Sequence, residues 1–282
     1  MQQRLVAGHS QMDSLDYLCW SLFEGMEALR RALQYVLVLV GVGIVAMVGW
    51  LPAGQAALPG PDPDLAVSAI SPSSGEVVGV GMPVTVTFTK PIANRTAAEQ
   101  SITMSVGNNG KVPTGHFTWM SDDVLQFTPD SFWPAHSSIS VSAGGFKTDF
   151  DSAAATMGVA NISAHTFTVS IDGQVVRTMP ASMGKPKHPT PVGSFTALEK
   201  DKSVVMDSRT IGIPLSDPEG YRLTVADAVR VTWGGVFVHS APWSVGSQGN
   251  ANVSHGCINL SPDNAAWYFN TVNIGDPIIV EA

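Results

Sequence analysis

Beyond residue 65 the sequence is a succession of short runs in which apolar and polar residues alternate, punctuated by glycine, proline and asparagine. Val84-Thr85-Val86-Thr87-Phe88 alternates with period two, and Ile102-Thr103-Met104-Ser105-Val106 repeats the pattern before the turn Gly107-Asn108-Asn109-Gly110. Phe117-Thr118-Trp119, Val124-Leu125-Gln126-Phe127 and Ser138-Ile139-Ser140-Val141-Ser142 continue it. Period two sends alternate side chains to a buried face and to solvent, whereas a helix needs an apolar residue every three or four positions. Strands are therefore predicted, and a helical bundle is excluded. Core material is ample: of 282 residues 44% are hydrophobic and 13% charged, against about 25% charged in an average soluble domain. That composition excludes a disordered chain. A net charge of −8 argues against a nucleic-acid surface, and two cysteines cannot staple a disulfide scaffold.

Residues 35–51, YVLVLVGVGIVAMVGWL, carry no charge and follow Arg30 and Arg31. A basic flank before an apolar run stays in the cytoplasm and sends the following chain outward. The small residues Ala53, Gly54, Ala56 and Ala57 then suit a signal-peptide cleavage site. The expectation is cleavage after Ala56 or Ala57, with a retained membrane anchor as the alternative. Met26 opens MEALRRALQ, an ordinary signal n-region, and is the expected translation start. Either way Cys257 is the only cysteine of the exported part, because Cys19 precedes the run.

Four segments are expected. Residues 1–57 form a cytoplasmic leader with a signal peptide or anchor helix, and residues 58–65 a proline-rich linker. Residues 66–158, with their repeated short strands, read as a β-sandwich of immunoglobulin type. His116 and His136 are lone histidines there, expected to be structural or exposed. The small-residue stretch at 151–158 marks the boundary, and residues 162–282 form the second domain. It opens on two β-rich runs around Asp172-Gly173, a strong hairpin signal. Its single expected helix starts at Ser261-Pro262-Asp263, with Ser as N-cap, Pro at the first helical position and Asp in the first turn. The fold class is mainly β with one short C-terminal helix.

A lone cysteine is either a small buried residue or a reactive thiol. Here the neighbours decide: Phe237-Val238-His239-Ser240-Ala241-Pro242-Trp243 lies upstream, and Cys257 sits within Ser254-His255-Gly256-Cys257-Ile258-Asn259. A thiol nucleophile needs an imidazole in hydrogen-bond reach. Along an extended chain His255 stands about 6.5 Å from Cys257. His239 ends a predicted strand, where a neighbouring strand would bring its Cβ to about 5 Å from that of Cys257. His239 is therefore the expected base and His255 a supporting residue. No Asp or Glu lies within fifteen residues before Cys257 or just after His239, so a backbone carbonyl or neutral side chain is expected to orient the base. Gly256 permits positive φ or close approach before the nucleophile, and the amides of Gly256 and Cys257 are placed to face a developing oxyanion.

The Ser254-His255-Gly256-Cys257-Ile258-Asn259 run, with His239 fourteen residues before Ser254, resembles the signature of the L,D-transpeptidase (YkuD-type) catalytic domain. Thr190-Pro191-Val192-Gly193-Ser194-Phe195, Met206-Asp207-Ser208, Pro218-Glu219-Gly220-Tyr221-Arg222 and Ser261-Pro262-Asp263-Asn264-Ala265 extend the resemblance over about residues 165–280. It is nearest to the mycobacterial branch, where an immunoglobulin-like domain precedes the catalytic one. The resemblance implies attack by Cys257 on the diaminopimelate carbonyl of a peptidoglycan tetrapeptide stem, release of D-alanine and a thioester. A second stem then accepts the acyl group in a 3→3 cross-link. It further implies His239 as general acid/base, the Ser240 carbonyl as its orienter, and the Gly256 and Cys257 amides with the Tyr221 hydroxyl as oxyanion hole. Met206, Gly234, Gly235, Trp243, His255 and Asn259 would bind substrate, and carbapenem β-lactams would acylate Cys257. No cofactor or metal is expected, nor a nucleic-acid partner. Membrane contact would run through the N-terminal segment alone, and the protein is expected to be an exported cell-envelope monomer. Two departures stand out: Ile211 replaces a lid aromatic common in mycobacterial relatives, and the C-terminal extension of some relatives has no counterpart after Ala282.

Three rival readings compete with this one. His239, His255 and Cys257 are zinc-competent, but lack a fourth ligand and a paired spacing. A hydrolase would give the same thioester to water, making an L,D-carboxypeptidase. A purely adhesive wall protein has no use for an exposed reactive thiol. Lys185, Lys187 and His188 are expected on a solvated loop rather than in a substrate clamp.

Overall fold

The computed structural model describes residues 65–107 and 110–282. The apolar run at 35–51, its cleavage site and nearly all of the proline-rich linker lie outside the described residues, as do Asn108 and Asn109 of the expected turn. Among the described residues no helix is long and apolar enough to cross a membrane.

The first domain runs β1 (Val67–Ser71), β2 (Val77–Val78), β3 (Val84–Phe88), α1 (Arg95–Ser101), β4 (Thr103–Val106), β5 (Gly115–Trp119), β6 (Val124–Pro129), β7 (Ser138–Ala143) and β8 (Phe146–Ser152). Two four-stranded sheets, ordered β1-β3-β6-β5 and β2-β8-β7-β4, form the expected sandwich. Val84, Val86 and Phe88 are the buried members of the alternating β3 run. They join Leu125, Phe127, Ile139, Val141 and Trp133 in one core. The helix α1 was not anticipated, because seven residues are too few to display a 3.6 period. Its start is nonetheless chemical: the Asn94 Oδ1 accepts the Ala97 N–H at 3.1 Å.

The second domain runs β9 (Thr156–Asn161), β10 (Thr166–Ile171), β11 (Gln174–Pro180), β12 (Gly193–Thr196), β13 (Glu199–Asp207), β14 (Arg222–Arg230), β15 (Phe237–Ser240), β16 (Ile258–Leu260), α2 (Pro262–Thr271) and β17 (Pro277–Glu281). Its sheets are ordered β11-β10-β9-β17-β12 and β13-β14-β15-β16. Residues 156–161, placed by sequence partly in the first domain and partly between the two, belong to the second. Strand β9 pairs with β10 and, in parallel, with the C-terminal β17. That partner lies more than a hundred residues away in sequence, so no local pattern announces it. The helix α2 begins at the expected Ser261 N-cap, although the serine hydroxyl makes no capping bond. It buries Ala265, Tyr268 and Phe269 against Val229, Val238, Ile258 and Leu260 of the same core.

The two domains meet at a backbone joint. The Gly79 N–H donates to the Ile274 carbonyl at 2.8 Å and the Gly81 N–H to the Gly275 carbonyl at 2.9 Å. A Cβ on Gly79 would lie 2.0 Å from the Asp276 nitrogen, so only glycine allows this approach. Beside it His136 Nε2 meets Asp172 at 2.9 Å.

Candidate active site

Strands β15 and β16 build the site. They run parallel, with Val238 opposite Ile258 and His239 opposite Asn259. Cys257 immediately precedes β16, so period two turns Cys257, Asn259 and His239 to one face. This register differs from the expected direct opposition of His239 and Cys257: the thiol is the diagonal neighbour of the imidazole. Both side chains line a cleft of about 390 Å³, together with Met206, Tyr221, Trp243, His255 and Asn259. Gly235 meets the site through its carbonyl, which accepts the Cys257 thiol at 3.6 Å. Gly234 and Ile211 do not line the cleft, and Ile211 sits on the exposed 3-10 turn Ser208–Ile211.

The His239 Nδ1 lies 2.8 Å from the Ser240 carbonyl. A carbonyl only accepts, so Nδ1 carries the proton and Nε2 keeps its lone pair. Burial pushes the His239 pKa down, partly offset by the Ser240 bond. The thiol packs on Val225, Ala228 and Phe237. Burial pushes it up to about 11, against the smaller opposing effect of the Phe237 amide. Both groups therefore rest neutral at pH 7, not as the thiolate–imidazolium pair of some cysteine enzymes. Such a pair can still act if the proton moves from sulfur to imidazole as the sulfur attacks.

Gly256 adopts φ +121°, a conformation natural only to glycine. Its N–H donates to the Ser254 Oγ at 3.0 Å. This corrects one part of the expected oxyanion hole: the Gly256 amide is already taken by Ser254. Tyr221 is anchored by its backbone, its N–H donating to the Ser208 Oγ at 3.0 Å and its carbonyl accepting the Ser208 N–H at 2.9 Å. Burial, then the charges of Cys257 and Asp207, raise the pKa of its phenol, so it stays a donor. Trp243 is exposed beside the cleft, its ring 6.0 Å from that of His239. Asn259 is buried and donates to the Ser244 Oγ at 3.2 Å.

Glu219 organises the rim of the cleft, a role the sequence reading missed. Its carboxylate pairs with Lys185, with Lys187 at 2.7 Å and with His188 at 3.4 Å. The Lys185 and Lys187 hydrogen bonds hold it down at about 2. Lys185 also donates to His255 Nε2 at 3.3 Å. The expected solvated loop is thus corrected: Lys187 is exposed, but Lys185 and His188 are only about a quarter exposed. His188, Glu219 and His255 place their donor atoms within 4.8 Å of one another. That is not the His239–His255–Cys257 trio considered from sequence, and the Lys185 ammonium already binds two of its members. Burial first, then the charges of Lys185 and His188, lower the His255 pKa against the opposing pull of Glu219. Replacing Lys185 by Met should therefore raise the His255 titration midpoint. Histidine ring proton shifts followed by NMR would test this; an unchanged or lower midpoint would contradict it.

Residues 156–280 match the L,D-transpeptidase catalytic domain and residues 61–145 the bacterial Ig domain. L,D-transpeptidase 1 of Mycobacterium tuberculosis is 54% identical over 252 residues, covering 89% of this chain and 99% of the relative. The chain belongs to the L,D-transpeptidase family. A solved L,D-transpeptidase from Mycobacterium smegmatis is 64% identical, with a TM-score of 0.73 over 77% of this chain and 99% of that one. The LD transpeptidase LdtMt1 in complex with imipenem is 58% identical, with a TM-score of 0.72 over the same shares. The chain is thus an acyltransferase-type enzyme with a bacterial Ig domain ahead of its L,D-transpeptidase domain.

Proposed function

We propose that this L,D-transpeptidase cross-links peptidoglycan through a Cys257 thioester. One observation carries the site assignment: the His239 imidazole, its tautomer set by the Ser240 carbonyl, shares the cleft with the protein's half-buried cysteine. As the donor tetrapeptide enters, His239 Nε2 takes the thiol proton while Sγ attacks the diaminopimelate carbonyl. The Cys257 N–H and the Tyr221 hydroxyl stabilise the resulting oxyanion. Collapse breaks the amide bond, and His239 returns its proton to the departing D-alanine nitrogen. The side-chain amine of a second diaminopimelate attacks the thioester, loses a proton to His239 and frees the thiol. Met206, Trp243, His255 and Asn259 hold the stems along the cleft, with the Gly234-Gly235 turn on the side of the thiol. By the same chemistry a carbapenem acylates Cys257 when its lactam C–N bond opens, a reading supported by the imipenem complex of the relative. The apolar segment at 35–51 supports export to the cell envelope, with the chain either released or tethered there. The protein acts as a monomer.

The experiment is mass spectrometry of residues 58–282 incubated with a disaccharide-tetrapeptide. A dimer lighter than two substrates by one D-alanine is expected. Tripeptide without dimer would move the assignment to an L,D-carboxypeptidase, and no product with an intact donor would overturn the reading.

A further inference from the structure

Thr190 lies sixty-seven positions before Cys257 in sequence, is 2% exposed and does not line the cleft. Its hydroxyl nevertheless reaches the residue beside the thiol. Thr190 Oγ1 donates to the Gly256 carbonyl at 2.9 Å and accepts the Gly184 N–H at 2.9 Å. A hydroxyl has one proton, so accepting from an amide while donating to a carbonyl leaves it a single orientation. Ser254 acts from the other side: its Oγ accepts the Gly256 N–H at 3.0 Å and donates to the Cys257 carbonyl at 2.7 Å. The frame behind both is the segment at 183–185, bonded to Ser254 through Lys185 N–H to Ser254 O and Ser254 N–H to Met183 O, each at 3.0 Å.

Two hydroxyls thus hold three of the four backbone polar groups of Gly256 and Cys257, all but the Cys257 N–H. The peptide from Gly256 to Cys257 is planar, with its C=O and N–H on opposite sides. Holding the carbonyl toward Thr190 therefore points the Cys257 N–H the other way. We infer that Thr190 is a positioning residue that aims the Cys257 N–H at the oxyanion, and that it acts on this peptide rather than on the thiol. The inference rests on the reading of Cys257 as the nucleophile. Gly256 makes the clamp useful: at φ +121° and with no side chain its backbone is the least restricted of any residue, so hydrogen bonds set how the peptide is turned. A donor that must meet developing charge within a few tenths of an ångström needs such a second support.

The test compares two reactions of Cys257 in the full chain. Acylation by imipenem forms the bond from Sγ to the lactam carbonyl, passes through an oxyanion and breaks the C–N bond, whose nitrogen takes a proton. Alkylation by iodoacetamide forms a bond from Sγ to carbon and expels iodide, with no oxyanion. Thr190→Val should slow acylation about ten- to a hundredfold while alkylation stays within about twofold. Thr190→Ser, which keeps the hydroxyl, should restore acylation. Thr190→Ala puts no second methyl beside the Gly184 N–H, and must show the same split should the valine variant fail to fold. Equal falls in both rates would reduce Thr190 to a structural residue, and unchanged acylation would also overturn the inference. Failure of the parent protein to acylate at all would instead sink the nucleophile assignment.

Discussion

Cys257→Ala should abolish acylation by both tetrapeptide and carbapenem, and His239→Ala should lower it about 10²–10⁴-fold, the span of a positioned general base. Intact-mass measurement of the acyl-enzyme reads both variants directly. Without sulfur there is no covalent intermediate, so any residual cross-linking by Cys257→Ala would end this mechanism. The histidine prediction has a pH signature. Acylation needs Nε2 unprotonated, and burial lowers the His239 pKa, so the acid limb should fall below the ordinary histidine value of about 6.5. The thiol stands at about 11, so the rate should be level between these limits, each belonging to the coupled pair. A rate that climbed tenfold per pH unit from 7 to 9 would mean that free thiolate attacks unaided. The His239→Ala profile should show that climb, because removing the base leaves hydroxide to create the thiolate.

Asp276→Asn should markedly change how stability depends on pH between about 4 and 7. Asp276 is fully buried at the joint between the domains. Its Oδ2 accepts the Asn273 N–H at 2.7 Å, while its Oδ1 has no partner among the described residues. Burial raises its pKa to about 7, against the smaller lowering effects of Asn273, the Val80 amide and the Lys200 charge. Lys200 itself is held at the Val272 carbonyl, 2.6 Å away, so it offsets the carboxylate only partly. A folded pKa above the unfolded one means that the native state holds a proton the unfolded chain has lost. The stabilisation is complete below about 4 and disappears as pH rises through about 7. The stability of the parent relative to Asp276→Asn should fall across that window by up to about 4 kcal/mol, three pKa units at 1.36 kcal/mol each. Against a typical total of about 5–15 kcal/mol that is readily seen in denaturant titrations at pH 4, 5.5, 7 and 8. A difference between the two proteins that did not vary with pH would show that Asp276 is charged throughout.

What was legible in the sequence was local. Period-two alternation in residues 84–88 and 138–142 revealed the sandwich, because a strand reports its buried face in its own residues. Ser261-Pro262-Asp263 revealed the start of α2 by the same kind of short-range chemistry. The nine-residue pair β13 and β14, which carries Met206 and leads out of Tyr221, went unread, since Glu199-Lys200-Asp201-Lys202 hides a strand under charge. The chemical identity of the site was also local: Cys257, His255 and Gly256 are adjacent, and His239 lies a short step upstream.

By itself, then, the sequence determined which groups this protein uses, a thiol, an imidazole and a glycine that frees the backbone between Ser254 and Cys257. Only the tertiary structure decided how they are set. It placed His239 opposite Asn259 rather than Cys257, spent the Gly256 amide on Ser254, brought Thr190 and Lys185 to the loop that bears the thiol, and left thiol and imidazole neutral. The reason is physical: strand register and burial are fixed by contacts between segments far apart in the chain, and it is burial that sets which protonation state each group holds.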